Sequence, residues 1–94
     1  MHGIVMSEVG GPEVLSYREV DTPAAGAGEV LVEVAAAGLN YIDTYHRSGL
    51  YELGLPATIG MEGSGVVAAL GDGVDSVQVG DRVAWTGAIG SYAE

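Results

Sequence analysis

Glycine is the residue that most constrains what this chain can fold into. Sixteen of the 94 residues are glycine, and they divide the sequence into short segments. Glycine stands beside proline, aspartate or another glycine at 10–12, 71–73 and 79–81, which are turn-forming combinations. Short apolar runs between such turns are typical of barrels and sandwiches of short strands, so we predict a mainly β fold.

Apolar runs and one polar segment supply the predicted elements. The apolar runs lie at 3–6, 14–20, 29–35, 63–70, 82–86 and 90–94. The third run is the clearest strand, because Val30, Val32 and Val34 alternate onto one face and β-branched residues suit the pleat. The last run is a strand cut short at the chain end. The segment 40–47 begins with asparagine, has aspartate three residues later and ends shortly before a glycine, which predicts one short capped helix.

Length and charge restrict the possible partners. A chain of 94 residues fits one domain, residues 1–94, and excludes an enzyme with two full domains on this chain. Thirteen acidic and three basic side chains give a net charge of −10, whereas nucleic acid binding draws its affinity from lysine and arginine. We therefore predict no nucleic acid partner, and we expect the phosphates of any cofactor to be held mainly by another domain.

Two absences narrow the chemistry further. The chain has no cysteine, which excludes disulfides, thiolate zinc sites, iron–sulfur clusters and a cysteine nucleophile. No apolar stretch reaches the roughly 18–20 residues of a membrane span, and the N-terminus lacks the basic flank of a secretory signal. We therefore predict a cytoplasmic protein without membrane contact.

Two features of the sequence imitate functional motifs. Residues 63–68 match the dinucleotide-binding fingerprint, which requires a preceding strand and a following helix. Residues 60–62 are not a buried strand, and the valines and alanines after the motif favour another strand, so we predict that its glycines pack a bent strand. His46 lies three residues from Asp43, but a single histidine–carboxylate pair binds zinc too weakly to predict a metal site.

Segments along the whole chain resemble the N-terminal domain of medium-chain dehydrogenases and reductases. They follow the family's order and lie at 10–15, 28–34, 37–43, 47–51, 60–67, 80–84 and 90–94, with Pro56 among them. Within that superfamily the chain resembles the zinc-independent NADPH:quinone oxidoreductases related to zeta-crystallin. The resemblance implies a GroES-like, partly open β-barrel with one short helix.

Two positions distinguish the chain from the zinc-dependent alcohol dehydrogenases. Those enzymes carry a cysteine ligand at the position of Asn40, and a histidine ligand immediately before the glutamate that matches Glu62, where this chain has Met61. An amide and a thioether bind Zn²⁺ poorly, so we predict no metal ligands. Met61 is expected to fill the position of the metal, and Glu62 to be a structural carboxylate.

The resemblance also implies a larger protein. Enzymes of this family follow the barrel with a Rossmann domain that binds NADPH, and the chain ends where the connection to that domain would begin. We therefore expect NADPH to be bound mainly outside this chain, and the parent protein to be a homodimer. The implied substrate is a small quinone, which receives hydride or electrons from the nicotinamide.

Five residues on and after the predicted helix are expected to form the site. The expected catalytic residues are Asn40, Asp43, Tyr45, Arg47 and Tyr51, of which Asn40 and Tyr45 also contact the cofactor. The Asn40 amide would donate to a carbonyl oxygen, and Arg47 would pair with Asp43 one turn along the helix. The tyrosines would present flat surfaces to a quinone ring. Simpler interpretations stay open, namely a helix cap, a surface ion pair and aromatics at the edge of the core.

Two other functions stay open for the same barrel. A zinc-free enoyl-thioester reductase of the same superfamily would use a tyrosine as its proton donor, for which Tyr45 or Tyr51 is suited. A co-chaperonin barrel would have no enzyme activity, and it would need an exposed aliphatic motif that the loop at 38–56 lacks. Outside the site, Tyr41 is expected to pack against the protein, because it falls one residue off the face of Asn40 and Asp43, and Trp85 is expected to lie in the core.

Overall fold

The computed structural model describes residues 1–94. Its elements are β1 (His2–Val5), a 3-10 turn (Pro12–Val14), β2 (Ser16–Glu19), β3 (Val30–Ala37), α1 (Tyr41–Ser48), β4 (Glu62–Leu70) and β5 (Arg82–Thr86). β1 pairs with β2, and β3, β4 and β5 form a three-stranded antiparallel sheet in that order. The predicted fold class is confirmed, because the chain is mainly β, its sheets are open and it carries one short helix.

β4 is the central strand of the larger sheet, and it contains the segment that imitates the dinucleotide fingerprint. It pairs with β3 along most of its length and with β5 over residues 62–66. A Cβ on Gly65 would overlap the carbonyl oxygen of Glu33. A Cβ on Gly63 would lie 2.8 Å from the ring of Trp85. These glycines therefore allow neighbouring groups to approach the strand closely, as predicted, and they do not begin a helix.

β3 is longer than the predicted strand, and its pairing is irregular. It ends at Ala37, two residues beyond the predicted end at 35. Its register with β4 shifts between Leu31 and Val32 and again between Val34 and Ala36. Irregularities of this kind bend a strand and increase its twist. The bent strand leads into the loop that precedes α1.

Residues 90–94 lie beside β1, to which a single β-bridge connects them, and do not form the strand predicted there. The N–H of Ile4 donates to the carbonyl oxygen of Tyr92 at 2.8 Å. On the other side, the N–H of Tyr92 donates to the carbonyl oxygen of Ile59 at 3.0 Å. The segment is therefore held between β1 and the chain that leads into β4.

The hydrophobic core is small, and none of its side chains lines the open groove of this chain. The buried apolar side chains are Val5, Met6, Ile59 and Val67. An apolar groove of about 790 Å³ is lined in part by side chains of β3 and β5 and otherwise by loops and the two chain ends. Trp85 lines this groove and is only half-buried, so the prediction that it packs in the core is corrected. The reason is the open sheet, which leaves the inner faces of these strands partly uncovered.

Candidate functional site

α1 is the element that positions the predicted site. Asn40 is its N-cap, with an extended backbone (φ −128°, ψ 151°), and the helix ends at Gly49 in the left-handed conformation (φ 87°). Asp43 Oδ2 accepts a hydrogen bond from the backbone N–H of Asn40 at 3.1 Å, which is the interaction of a capping box. The predicted capped helix is thus confirmed. With eight residues, α1 lacks the length and the apolar character that a helix needs to cross a bilayer.

Two polar atoms at the start of α1 are buried and have no hydrogen-bond partner. They are the amide nitrogen Nδ2 of Asn40 and the carboxylate oxygen Oδ1 of Asp43. Asp43 as a whole is 3% exposed. Because buried polar atoms in proteins are nearly always paired, each of these two atoms has hydrogen-bonding capacity that this chain leaves unused. This helix end therefore offers one amide donor and one carboxylate acceptor.

Tyr92 contacts Asp43 from a distant part of the sequence. Its hydroxyl donates to Asp43 Oδ2 at 2.5 Å across a separation of 49 residues. Burial raises the pKa of the Tyr92 hydroxyl, and the hydrogen bond to Asp43 and the negative charge of that carboxylate raise it further. The phenol therefore keeps its proton at a pH where an ordinary tyrosine, with a pKa of about 10, begins to lose it.

Tyr92 is absent from the residues predicted for the site. Its segment contributes to the family resemblance, but no local spacing connects it with α1. The structural feature that accompanies Tyr92 is Gly60, whose φ of 105° is a backbone conformation that favours glycine. A Cβ on Gly60 would overlap Ser91 Oγ and lie 2.6 Å from Tyr92 Cδ1. Glycine at this position therefore makes room for the Tyr92 ring.

Tyr41, Tyr45 and Tyr51 form a row of aromatic rings, the tyrosine row, on α1 and the loop after it. The ring of Tyr45 meets Tyr41 edge-on at 5.7 Å and Tyr51 edge-on at 5.5 Å. Tyr41 is 78% exposed and Tyr51 is 52% exposed. Tyr41 is expected from the sequence to pack, but apart from its contact with Tyr45 it is largely exposed, because the buried face of α1 carries Asp43 and His46.

Arg47 is tied to the loop after β1, and not to Asp43. Its Nε donates to the carbonyl oxygen of Gly10 at 3.2 Å, and the N–H of Gly10 donates to the carbonyl oxygen of Arg47 at 2.9 Å. Asp43 is turned toward the N-terminus of α1, where it accepts from Asn40 and Tyr92. The predicted pairing of Arg47 with Asp43 is therefore wrong, and Arg47 instead attaches a loop to the C-terminal end of α1.

Side chains that could ligate a metal ion are not clustered in this protein. No group of three or more histidine or carboxylate side chains is placed to hold a metal. His46 is 7% exposed, and its Nδ1 has no partner.

The N–H of Gly38 donates to the carbonyl oxygen of Glu62 at 3.1 Å. Asn40 lies two residues after Gly38 and Met61 directly precedes Glu62, so both positions lie just beyond the same end of the β3–β4 pair.

Comparison with known proteins gives consistent results. The family described as the alcohol dehydrogenase GroES-like domain matches residues 26–94. A curated quinone oxidoreductase from Pseudomonas aeruginosa is 52% identical over 93 residues, which cover 97% of this chain and 29% of that protein. The crystal structure of a Pseudomonas syringae quinone oxidoreductase has a TM-score of 0.95 at 53% identity, with coverage of 99% of this chain and 29% of that one.

A third relative was solved with a nucleotide. The Escherichia coli quinone oxidoreductase complexed with NADPH has a TM-score of 0.90 at 45% identity, with coverage of 98% of this chain and 29% of that one. The chain thus spans less than a third of the length of these relatives. All three relatives are named quinone oxidoreductases. The chain belongs to the alcohol dehydrogenase GroES-like domain family.

Proposed function

We propose that this chain is the substrate domain of a quinone reductase that uses NADPH and no zinc. The proposal rests above all on the buried, unpartnered amide nitrogen of Asn40 at the start of α1. A quinone is an uncharged ring with carbonyl acceptors, so it can accept a hydrogen bond from this amide without bringing a second charge beside Asp43. The identity with quinone oxidoreductases supports the same substrate class.

Asn40 is the hydrogen-bond donor of the proposed reaction. Negative charge builds on a quinone carbonyl oxygen during reduction, and a donor already aimed at that oxygen stabilises it. Asn40 Nδ2 has no partner within this chain, so the donor is not already used by the protein. Its backbone is fixed by the cap of α1. Tyr45 and Tyr51, whose ring centroids are 5.5 Å apart, are proposed to contact the ring of the substrate.

The residues of this chain fit the uncharged end of NADPH and not its phosphates. When bound, NADPH supplies the reducing equivalents. Asn40 and Tyr45 are proposed to contact the nicotinamide, whose neutral carboxamide suits a buried amide donor. A net charge of −10 opposes phosphate groups. We therefore propose that the nucleotide-binding domain lies outside residues 1–94 of the parent protein. In line with the family resemblance, the parent protein is also proposed to be cytoplasmic and homodimeric.

The donor groups at two positions support a reaction without zinc. Asn40 offers an amide and Met61 a thioether, whereas Zn²⁺ in proteins prefers thiolate, imidazole and carboxylate. No group of three histidines or carboxylates compensates for them elsewhere in the chain. In the proposed reaction, the Asn40 amide takes the role that a metal ion has when it polarises a carbonyl oxygen.

Substrate preference tests the proposed function on the full-length protein that carries this domain. With NADPH as the reductant, we expect kcat/KM for a small benzoquinone to exceed that for an enoyl-CoA thioester by about a hundredfold or more. The reason is that the site offers an amide donor and aromatic surface to a planar ring with carbonyl acceptors. A preference for the thioester would instead assign the alternative function, with Tyr45 or Tyr51 as proton donor. Reduction of neither compound would contradict both.

A further inference from the structure

A hydrogen-bonded unit connects residues 90–94 with the start of α1. The Tyr92 hydroxyl and the backbone N–H of Asn40 both donate to the same oxygen, Oδ2 of Asp43. Hydrogen bonds to an ionised carboxylate are shorter and stronger than those between neutral groups. Asp43 is 3% exposed, so water does not compete for this oxygen. The position of Asn40 is therefore linked to that of Tyr92 through one buried carboxylate.

The backbone of Tyr92 is fixed on both sides. Its carbonyl oxygen accepts from Ile4 of β1 at 2.8 Å, and its N–H donates to Ile59 at 3.0 Å. Gly60 makes room for the ring, since a Cβ there would lie 2.6 Å from Tyr92 Cδ1. A hydroxyl carried by such a well-held residue can hold Asp43 in one orientation.

The two carboxylate oxygens of Asp43 differ in their hydrogen bonds because of the contact with Tyr92. Oδ2 has two donors, Tyr92 and Asn40, whereas Oδ1 has none. A tyrosine with its ordinary pKa of about 10 is protonated throughout the physiological range, and burial raises the pKa of Tyr92 further, so this donor is always present. Asp43 is therefore held with one oxygen toward the protein framework and the other unpaired at the start of α1.

We propose that Tyr92 is a positioning residue for quinone reduction, whose hydroxyl orients Asp43 and through it the backbone and amide of Asn40. Tyr92 acts here without touching the substrate. The inference rests on the proposed function and adds to it a residue that the sequence did not predict for the site.

A double-mutant cycle in the full-length protein tests the proposal. Tyr92→Phe is expected to lower kcat for benzoquinone about fivefold and to change KM by less than about twofold. In the Asn40→Ala background, the same substitution is expected to lower kcat no further, because the group that Tyr92 positions is gone. Tyr17→Phe is the matched control, since it removes a hydroxyl from a tyrosine that is 66% exposed, and its kcat should equal that of the wild type. An unchanged kcat in Tyr92→Phe, or equal losses in both backgrounds, would overturn the proposal.

Hydrogen exchange gives a second readout that does not depend on activity. The N–H of Asn40 is protected by Asp43, and we expect it to exchange about tenfold faster in Tyr92→Phe while β4 is unaffected. Unchanged exchange would overturn the inference even if the wild type reduces quinones. Faster exchange in a protein that reduces no quinone would support the link from Tyr92 to Asn40 and overturn only the proposed function. Asp43→Asn, which keeps the shape and removes the charge, is the second variant should Tyr92→Phe fail to fold, and it should accelerate the same exchange.

Discussion

We expect Asn40→Ala to lower kcat for quinone reduction by the full-length protein about tenfold or more. The substitution removes Nδ2, a buried hydrogen-bond donor that has no acceptor within the protein. A tenfold loss corresponds to about 1.4 kcal/mol of transition-state stabilisation, which is modest for a donor to an oxygen that gains negative charge. Steady-state kinetics with NADPH and benzoquinone measures the effect, and far-ultraviolet circular dichroism checks that the fold is intact.

Asn40→Asp is the matched control for the helix cap. Aspartate caps a helix as well as asparagine does, but its carboxylate cannot donate a hydrogen bond and adds a second negative charge near Asp43. We therefore expect Asn40→Asp to lose at least as much activity as Asn40→Ala while α1 stays folded. If only the alanine variant were impaired, the cap and not the donor would be responsible. Full activity in both variants would remove Asn40 from the mechanism.

Gly65→Ala is expected to lower the free energy of unfolding by about 2–3 kcal/mol. Gly65 lies in β4, where it pairs with Val34 on one side and with Val83 on the other. Its added Cβ would overlap the carbonyl oxygen of Glu33 and lie 2.9 Å from a methyl group of Val32. Because backbone in the centre of a sheet cannot move without breaking pairs on both sides, the clash is relieved only at the expense of hydrogen bonds. Denaturant unfolding of the full-length protein measures the change.

Gly54→Ala is the matched control for this prediction. Gly54 is exposed, its φ is not positive, and a Cβ built on it meets nothing within 4 Å. We expect its free energy of unfolding to change by less than about 0.5 kcal/mol. If both substitutions lowered the free energy of unfolding equally, the close approach of Glu33 to β4 would not be the reason for glycine at position 65.

Local patterns account for the features that the sequence predicts well. The cap of α1 needs only Asn40, the carboxylate of Asp43 and the glycine after the helix, all within ten residues. Likewise, the residues that follow Gly63 and Gly65 favour a strand by their own side chains, so the fingerprint could be assigned to β4 without knowledge of its partners. Predictions of this kind succeed because the determining interactions are close in sequence.

The features that the sequence does not predict depend on distant segments. Tyr92 reaches Asp43 across 49 residues, and Arg47 reaches Gly10 across 37. Neither separation produces a periodic pattern that would connect the partners. The spacing of Arg47 and Asp43 favours a pair on an isolated helix, but Asp43 is turned inward by its stronger contacts with Asn40 and Tyr92. Tertiary contacts therefore overrule local spacing at this site.

The absence of zinc ligands at Asn40 and Met61 is the central claim, and anomalous scattering at the zinc absorption edge tests it most directly. Crystals of the full-length protein grown with zinc present would be used, so that any site with affinity for the metal is filled. We predict no anomalous peak beside these two residues, because an amide and a thioether bind Zn²⁺ poorly. A fully occupied zinc ion between Asn40 and Met61 would contradict the account.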